Sequence, residues 1–321
     1  MQSPSQESIE KAIFENYFEY QYLFMEFQSK VLSDLYSRYK SIENGNITLY
    51  YAKQTHQEIL RKKDYDLNFN LSLENLWENH REIHQPRISI TKIAKDISIA
   101  KETARRKILE LIKQKVLNKK KGNIGWHPSE EYKKNYDIFI NLEIDGVSKL
   151  ISFICKKQNY SISSEAVTEE LKKSFSFYWF HYLEVQLEYL KFWSAKLNDI
   201  ELGLIFLQVS HLFASKIKKK NLSHKDLYDN PSLIKEYISA SISATSISEV
   251  TGIPRATCVR KLELLVKMKL VLQDKLTKRY YLFHHAISEN LISRDITEQV
   301  VKFFSKFYFI CIRAIVAKTS N

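Results

Sequence analysis

One pattern of fourteen residues occurs twice in this chain, 154 positions apart, and it constrains the fold more than any other feature. The first copy covers residues 93–106 and reads IAKDISIAKETARR, and the second covers 247–260 and reads ISEVTGIPRATCVR. The match continues without a gap through four identical pairs: Lys107 and Lys261, Leu111 and Leu265, Lys113 and Lys267, and Lys115 and Lys269. We infer that one structural unit is written twice.

Each copy has the spacing of two short helices joined by a tight turn. Ile93 and Ile99 lie six positions apart on either side of the expected turn, so both can anchor the two helices on one core. Ser98 and Gly252 occupy the turn itself, where the backbone needs a small or permissive residue. The sequence therefore predicts a helix-turn-helix in each copy.

A strand, a polar turn and a returning strand are predicted after each pair of helices, over residues 116–126 and 270–283. Their turns carry the basic residues Lys119, Lys120, Lys121, Lys278 and Arg279. Over about 88–127 and 242–285 the chain resembles the winged helix-turn-helix of bacterial transcription regulators such as the MarR and GntR families. The resemblance implies that the second helix and the wing of each unit bind duplex DNA.

The residues expected at DNA follow from this resemblance and from the helical spacing of the pattern. The second helices are predicted to begin at Ala100 and Pro254 and to enter major grooves. The expected contacts are Lys101, Glu102, Thr103, Arg105 and Arg106 in the first unit, and Arg255, Ala256, Thr257, Val259 and Arg260 in the second. Arg105 or Arg106 could take a guanine edge, and Glu102 could accept from cytosine. The basic wing residues would hold phosphates or enter the minor groove.

The two copies differ at the positions expected to read bases. Lys101 stands against Arg255, Glu102 against Ala256, and Arg105 against Val259. A symmetric dimer must read two identical half-sites, whereas one chain with two different units need not. We therefore expect a non-palindromic site, with unequal half-sites in grooves about 34–36 Å apart or a multiple of that distance.

Positive charge is concentrated in the two repeated segments. Residues 88–128 carry 11 Lys and Arg against three Asp and Glu, and residues 243–285 carry eight against three. Residues 129–242 carry 15 of each and are neutral, although the whole chain has a net charge of +12. This distribution is typical of a surface that binds a polyanion.

The predicted fold class is mainly α with small β wings, in which two tandem winged units are embedded in a helical, dimerisation-like scaffold with pseudo-two-fold symmetry. Two domains are expected, 1–160 and 161–321. Apolar spacing predicts helices at 8–40, 47–63, 71–82, 146–157, 175–197, 199–218, 233–241 and 286–317. Asn44-Gly45-Asn46 is predicted to form a turn, and residues 17–20 to correspond to residues 179–182.

No enzyme signature, cofactor site or metal site is predicted. His80 and His84 lack the acidic partner of a metalloprotease motif, and a solvated or capping role is expected for them. Cys155, Cys258 and Cys311 are too far apart for a redox or metal spacing, and Cys258 is predicted to be a small core residue. No signal peptide or membrane span is visible, so a cytoplasmic, nucleoid-associated protein is expected.

Two alternatives stay open beside a transcription regulator acting as a single-chain pseudo-dimer. A plasmid-type replication initiator also resembles two winged helices in tandem, and would bind direct repeats. A protein-interaction scaffold would have lost DNA binding, although Arg106 and Arg260 argue against that. RNA polymerase or another regulator is a further candidate partner, and the sequence leaves both a small-molecule effector and the choice between monomer and homodimer undecided.

Overall fold

The computed structural model describes residues 3–120, 122–217, 240–283 and 294–319, and these form a mainly helical structure with two small antiparallel sheets. The first half contains α1 (Gln6–Glu15), α2 (Tyr17–Tyr39), α3 (Ile42–Tyr65), α4 (Leu76–Glu82), α5 (Ile90–Asp96), α6 (Lys101–Lys113), β1 (Asn118–Lys120), β2 (Asn123–Gly125) and α7 (Glu130–Lys157). The second half contains α8 (Ser164–Lys173), α9 (Phe175–Leu197), α10 (Ile200–Ile217), α11 (Ala244–Thr251), α12 (Arg255–Lys267), β3 (Val271–Gln273), β4 (Tyr280–Leu282) and α13 (Arg294–Thr319).

Helices of equal length recur in the two halves. Both α2 and α9 have 23 residues, both α1 and α8 have 10, and both α6 and α12 have 13. The residues after these helices correspond too, because Lys40 follows α2 and Asn198 follows α9, and both are left-handed with φ of 54° and 55°. Such a residue commonly terminates a helix by freeing the chain to turn away.

The long helix predicted over 8–40 is divided, so that prediction was wrong. Asn16 leaves the helical conformation with φ −121° and ψ 33°, between α1 and α2. Its side-chain amide donates to the carbonyl of Ala12 at 2.9 Å, which satisfies an acceptor at the end of α1. Ser174 has nearly the same conformation between α8 and α9, with φ −118° and ψ 42°.

The turn predicted at Asn44-Gly45-Asn46 is also wrong, because these residues lie in the first turns of α3. The chain turns earlier, at Lys40, and the Ser41 hydroxyl then caps α3 by accepting from the Asn44 amide at 3.4 Å. Gly45 serves packing, since a Cβ there would lie 3.1 Å from Leu35 Cδ2 and 3.2 Å from Leu35 Cβ. Glycine thus lets α3 approach α2 closely.

Other predicted boundaries were correct in part. The helix predicted at 175–197 is confirmed at the same bounds, and the one predicted at 71–82 is limited to Leu76–Glu82. The helix predicted from 146 begins much earlier, at Glu130, where Ser129 caps it. Residues 233–239 and 286–293 of two further predicted helices lie outside the described residues.

The scaffold is built by reciprocal packing of the long helices. Helix α3 packs along α9, and α2 packs along α10. At the middle of α2 and α9, Gln28 and Gln186 exchange two amide hydrogen bonds of 3.0 and 2.9 Å, with both side chains fully buried. Paired amides satisfy each other's donor and acceptor, so a polar contact can lie inside an aromatic core.

Aromatic side chains fill the rest of that core. Helix α13 packs on α1 and α9, and the Phe304 ring lies 4.8 Å from the Phe24 ring and 5.7 Å from the Tyr189 ring. Helix α7, which belongs to the first half, packs on α8 and on α2. Among the described residues, no helix is both long and apolar enough to cross a bilayer.

Candidate nucleic-acid interface

The two repeated segments form the same local structure. Helices α5 and α6 are joined through Ser98, with φ 56°, and α11 and α12 through Gly252, with φ 74°. These are the two positions where the sequence required a permissive residue. Ile93 is completely buried, and Ile99, six positions later, is half-buried against the same core; their counterparts Ile247 and Ile253 are both completely buried.

Helices α6 and α12 each present one buried and one exposed face. The buried faces consist of Ala104, Ile108 and Leu111 in α6, and of Cys258, Lys261, Leu262 and Leu265 in α12. Burial raises the pKa of the Cys258 thiol to about 11, in agreement with the predicted core role. The residues expected at DNA lie mostly on the other face: Lys101, Glu102, Arg105, Arg106, Arg255, Ala256 and Arg260 are exposed, whereas Thr103, Thr257 and Val259 are half-buried.

Two of the predicted base contacts in α6 bind each other. The Arg105 guanidinium donates three hydrogen bonds to the Glu102 carboxylate, at 3.0, 3.1 and 2.7 Å. These bonds lower the pKa of Glu102 and raise that of Arg105. The carboxylate is therefore already satisfied within the chain, and part of the Arg105 charge is neutralised.

Arg106 and Arg260 differ from that pair. Both side chains are exposed at equivalent positions of α6 and α12, and across the described ranges neither forms a side-chain hydrogen bond or an ion pair. A guanidinium in this state can offer its five donors to an external acceptor such as phosphate or a base edge.

A two-stranded hairpin follows each helix pair. In the first, Asn118 pairs with Gly125 and Lys120 with Asn123, and Lys119 and Lys120 are exposed. The predicted contact Lys121 lies outside the described residues. Both hairpins therefore stand directly after the exposed helices, and at least two lysines of the first are available at its surface.

The turn of the second hairpin is ordered by one carboxylate. Asp274 accepts hydrogen bonds from the backbone amides of Leu276, at 2.9 Å, and Thr277, at 2.7 Å. Lys278 then takes a left-handed conformation with φ 56° and is exposed, and Leu276 is 93% exposed at the tip. The turn presents a cation and an apolar side chain to solvent in a fixed geometry.

Arg279 and Arg255 have intramolecular partners. The Arg279 guanidinium donates to the Ser241 carbonyl at 2.7 and 3.1 Å and to the Ser241 hydroxyl at 3.2 Å. It thereby holds the segment before α11 against the hairpin, a structural task that sequence reasoning had not assigned to it. Arg255 donates from Nε to the Thr245 hydroxyl at 3.1 Å.

Sequence reasoning missed the role of one identical lysine pair. Lys107 and Lys261 point from α6 and α12 toward the beginning of α3 and α10, where Ser41 and Asp199 lie. Only 15% of the Lys107 side chain and 6% of the Lys261 side chain are exposed. Their identity in both copies was the available signal, but buried lysines are uncommon, so the pattern alone gave no reason to expect a buried contact.

His80 is not solvated as predicted. Its Nε2 donates to the carbonyl of Trp126, and the ring is buried between α4 and the chain that follows β2. Burial lowers the pKa of His80 to about 4. The prediction failed because tertiary packing turns this face of α4 inward, while His84 is exposed as expected.

The described residues contain no group of three or more His, Cys, Asp or Glu side chains that could hold a metal ion. Cys155, Cys258 and Cys311 are all buried and unpaired. Comparison of the chain with known protein families, curated proteins and solved structures gives no match. The functional argument therefore depends on the chain's own residues.

Proposed function

We propose that the chain is a sequence-specific, double-stranded DNA-binding protein that regulates transcription through two winged helix-turn-helix units. The observation that carries the proposal is the placement of Arg106 and Arg260. They lie at equivalent points on two equivalent helices, exposed and without a side-chain hydrogen bond or an ion pair among the described residues. In this reading α6 and α12 are the recognition helices, and the two hairpins are the wings.

Charge supports the same assignment. The segments that form the two units carry most of the chain's positive excess, while the scaffold between them is neutral. Lys101, Lys119, Lys120 and Lys278 are exposed around the same helices and hairpins. Lysines of this kind bind phosphates and fix the register of a protein on DNA, leaving base reading to the helix.

The scaffold supports a single-chain pseudo-dimer. Dimeric regulators join two identical chains through a self-complementary interface, in which each contact occurs twice. Here the reciprocal pairing of α3 with α9 and of α2 with α10 has this form, as do the two hydrogen bonds between Gln28 and Gln186. We assign this arrangement to duplication of one ancestral half.

The two units should read different sequences. Arg106 and Arg260 are suited to bidentate recognition of guanine or to phosphate binding in either unit. The Glu102–Arg105 pair exists only in the first unit, because the second has Ala256 and Val259 there. The bound site is therefore expected to be asymmetric.

Binding of purified protein to duplex fragments, followed by fluorescence anisotropy across a salt series, tests the proposal. With roughly 6–10 phosphate contacts, affinity should fall by about 10³–10⁵-fold between 50 and 200 mM salt. Arg106→Ala and Arg260→Ala should each weaken binding by about 1–3 kcal/mol.

The matched control is Arg61→Ala, which removes an exposed arginine at the end of α3 without touching either unit. It should leave affinity nearly unchanged. A flat salt response of the wild-type protein, or equal losses in all three variants, would refute DNA binding through these helices.

A further inference from the structure

The two recognition helices are held to the scaffold by chemically different contacts. Helix α6 packs on α3, and α12 packs on the equivalent helix α10. In each case a lysine on the helix reaches the residue that caps the scaffold helix. That cap is Ser41 for α3 and Asp199 for α10, and each accepts a hydrogen bond from the backbone amide three residues further along.

The first docking contact, formed by Lys107, Ser41, Glu110 and Asn44, is a mixed polar network. Lys107 Nζ donates to the Ser41 hydroxyl at 3.0 Å and lies 3.5 Å from Glu110 on its own helix. Glu110 also accepts from the Asn44 side-chain amide at 3.1 Å. Among the described residues, the scaffold groups in direct hydrogen bonds with α6 are thus neutral, and the scaffold carboxylate Glu43 joins the network by accepting from the Ser41 hydroxyl.

The second docking contact, formed by Lys261, Asp199 and Glu201, is a charged cluster. Lys261 Nζ donates to Asp199 and lies 3.2 Å from Glu201, so two scaffold carboxylates face one ammonium group. The counterparts of Glu110 and Asn44 are Leu264 and Leu202, which cannot form the polar network of the first contact. The lysine's ion pair therefore lies within the helix in the first contact, and between the helix and the scaffold in the second.

This difference changes how firmly each helix is held. Both lysines donate from an ionised group, but Lys107 donates to a neutral hydroxyl of the scaffold, whereas Lys261 donates to a carboxylate and gains Coulomb attraction that is screened less because the ammonium group is buried. Lys261 has few alternatives to its two carboxylates, because leaving them would place an unpaired charge in the protein. Lys107 keeps Glu110 as a partner even when it leaves Ser41, since both lie on α6.

We propose that Lys107 and Lys261 are positioning residues that give the two units unequal freedom, and this inference rests on the proposed function. Lys261 fixes the second unit to the scaffold as a reference. Lys107 permits the first unit to change its angle on α3, so that the chain accepts DNA sites whose two halves differ in spacing. The exchange of one cap residue, Ser41 for Asp199, decides which unit adjusts.

Distances between spin labels measure this freedom without DNA. One label pair joins the first unit to the scaffold, through Gln114→Cys and Glu188→Cys, and the equivalent pair uses Met268→Cys and Lys30→Cys. All four positions are exposed, and the three natural cysteines are buried. The labelling background is measured on the protein without added cysteines. We expect the first pair to give the broader distance distribution.

Exchanging the two cap residues should exchange the widths of the two distance distributions. Asp199→Ser leaves a good helix cap but removes one carboxylate from Lys261, so the second pair should broaden. Ser41→Asp adds a carboxylate beside Lys107, so the first pair should narrow. Equal widths in the two unsubstituted pairs, or no change of the second pair in Asp199→Ser, would overturn the inference even if Ser41→Asp failed to fold.

A second arm uses duplexes that carry the selected half-sites at different spacings. The wild-type protein should bind the optimal spacing best and tolerate neighbouring ones, and Asp199→Ser should flatten the preference further. Loss of affinity that is equal at all spacings would indicate a merely structural role and refute the inference. If the wild-type protein binds no duplex, the proposed function fails, whereas the label distances still decide whether the lysines control the freedom of the units.

Discussion

The two repeated units share a backbone and differ in their surfaces. Helices α6 and α12 both have 13 residues, the turn before each contains a residue with positive φ, and Lys115 and Lys269, two residues after these helices, share a φ of 57°. Yet an exposed ion pair in the first is replaced by Ala256 and Val259 in the second. The comparison shows that buried residues and turns preserve the geometry, while exposed positions are free to differ.

The strongest test of the shared geometry is truncation of its core. Leu111 and Leu265 are equivalent and completely buried. Leu111→Ala and Leu265→Ala should each lower the free energy of unfolding by about 2–5 kcal/mol, because each removes apolar contacts and leaves a cavity. Urea denaturation measures both. A loss limited to one variant would show that the two units do not depend on the same packing.

A pH experiment tests a difference between the halves of the scaffold. His56 in α3 is buried, and its position in α10 is taken by Ala214. Burial lowers the pKa of His56 to about 3, so the unfolded chain takes up its proton first as pH falls below about 6.5. Protonation of His56 therefore leaves the free energy of unfolding unchanged above that pH. Below it, the free energy of unfolding falls toward pH 3 by about 1.4 kcal/mol per pH unit.

Burial has the opposite effect at Glu143, whose pKa rises to about 7 and which destabilises the folded state as pH rises from about 4.5. His56→Ala should remove the histidine contribution and leave that of Glu143 in place. Chemical denaturation of both proteins at pH 6.5 and 4.5 should therefore show that acid lowers the free energy of unfolding of the variant less, by about 2 kcal/mol. Equal acid losses would contradict the assignment.

The docking contacts should differ in stability as well as in freedom. Lys261→Met leaves Asp199 and Glu201 without their cation, and because Asp199 is 35% exposed, partial hydration limits the expected cost to about 2 kcal/mol. Lys107→Met should cost about 1 kcal/mol, the value of one hydrogen bond. Thermal or urea denaturation compares the two, and an equal cost would remove the distinction between the contacts.

Under the proposed function, the smallest expected effect concerns base preference. Glu102→Ala frees Arg105 from its ion pair, so overall affinity should change by a few-fold only, while the preferred bases of the first half-site shift. The converse variant, Ala256→Glu with Val259→Arg, should make the second half-site more like the first. Selection from random duplexes measures both outcomes. Unchanged preferences would place the readout elsewhere.

The repeated units could be located from sequence because their turns and buried isoleucines impose a strict spacing. The scaffold was harder to align. Residues 17–20 were matched to 179–182, but Tyr17 begins α2 and Phe175 begins α9, so the match was wrong by four residues. Four residues are about one helical turn, and an aromatic stripe looks nearly the same after that shift.

Other failures arose from packing and capping contacts that residue composition does not reveal. Asn44-Gly45-Asn46 has the composition of a turn, yet close packing against Leu35 and the Ser41 cap keep it helical. The docking role of Lys107 and Lys261 depends on residues more than 60 positions away. Local propensity cannot reveal such partners. The available signal in the sequence was that both copies have a lysine at this position.

The pair of hydrogen bonds between Gln28 and Gln186 has a consequence for how DNA binding depends on protein concentration. The two halves of the chain that meet at this contact are covalently joined, so the contact forms at any protein concentration. A contact between separate chains would dissociate on dilution. Under the proposed function, occupancy of a DNA site should follow the first power of the amount of protein and not its square. A cell that contains only a few copies of the protein would then still have them fully assembled for DNA binding.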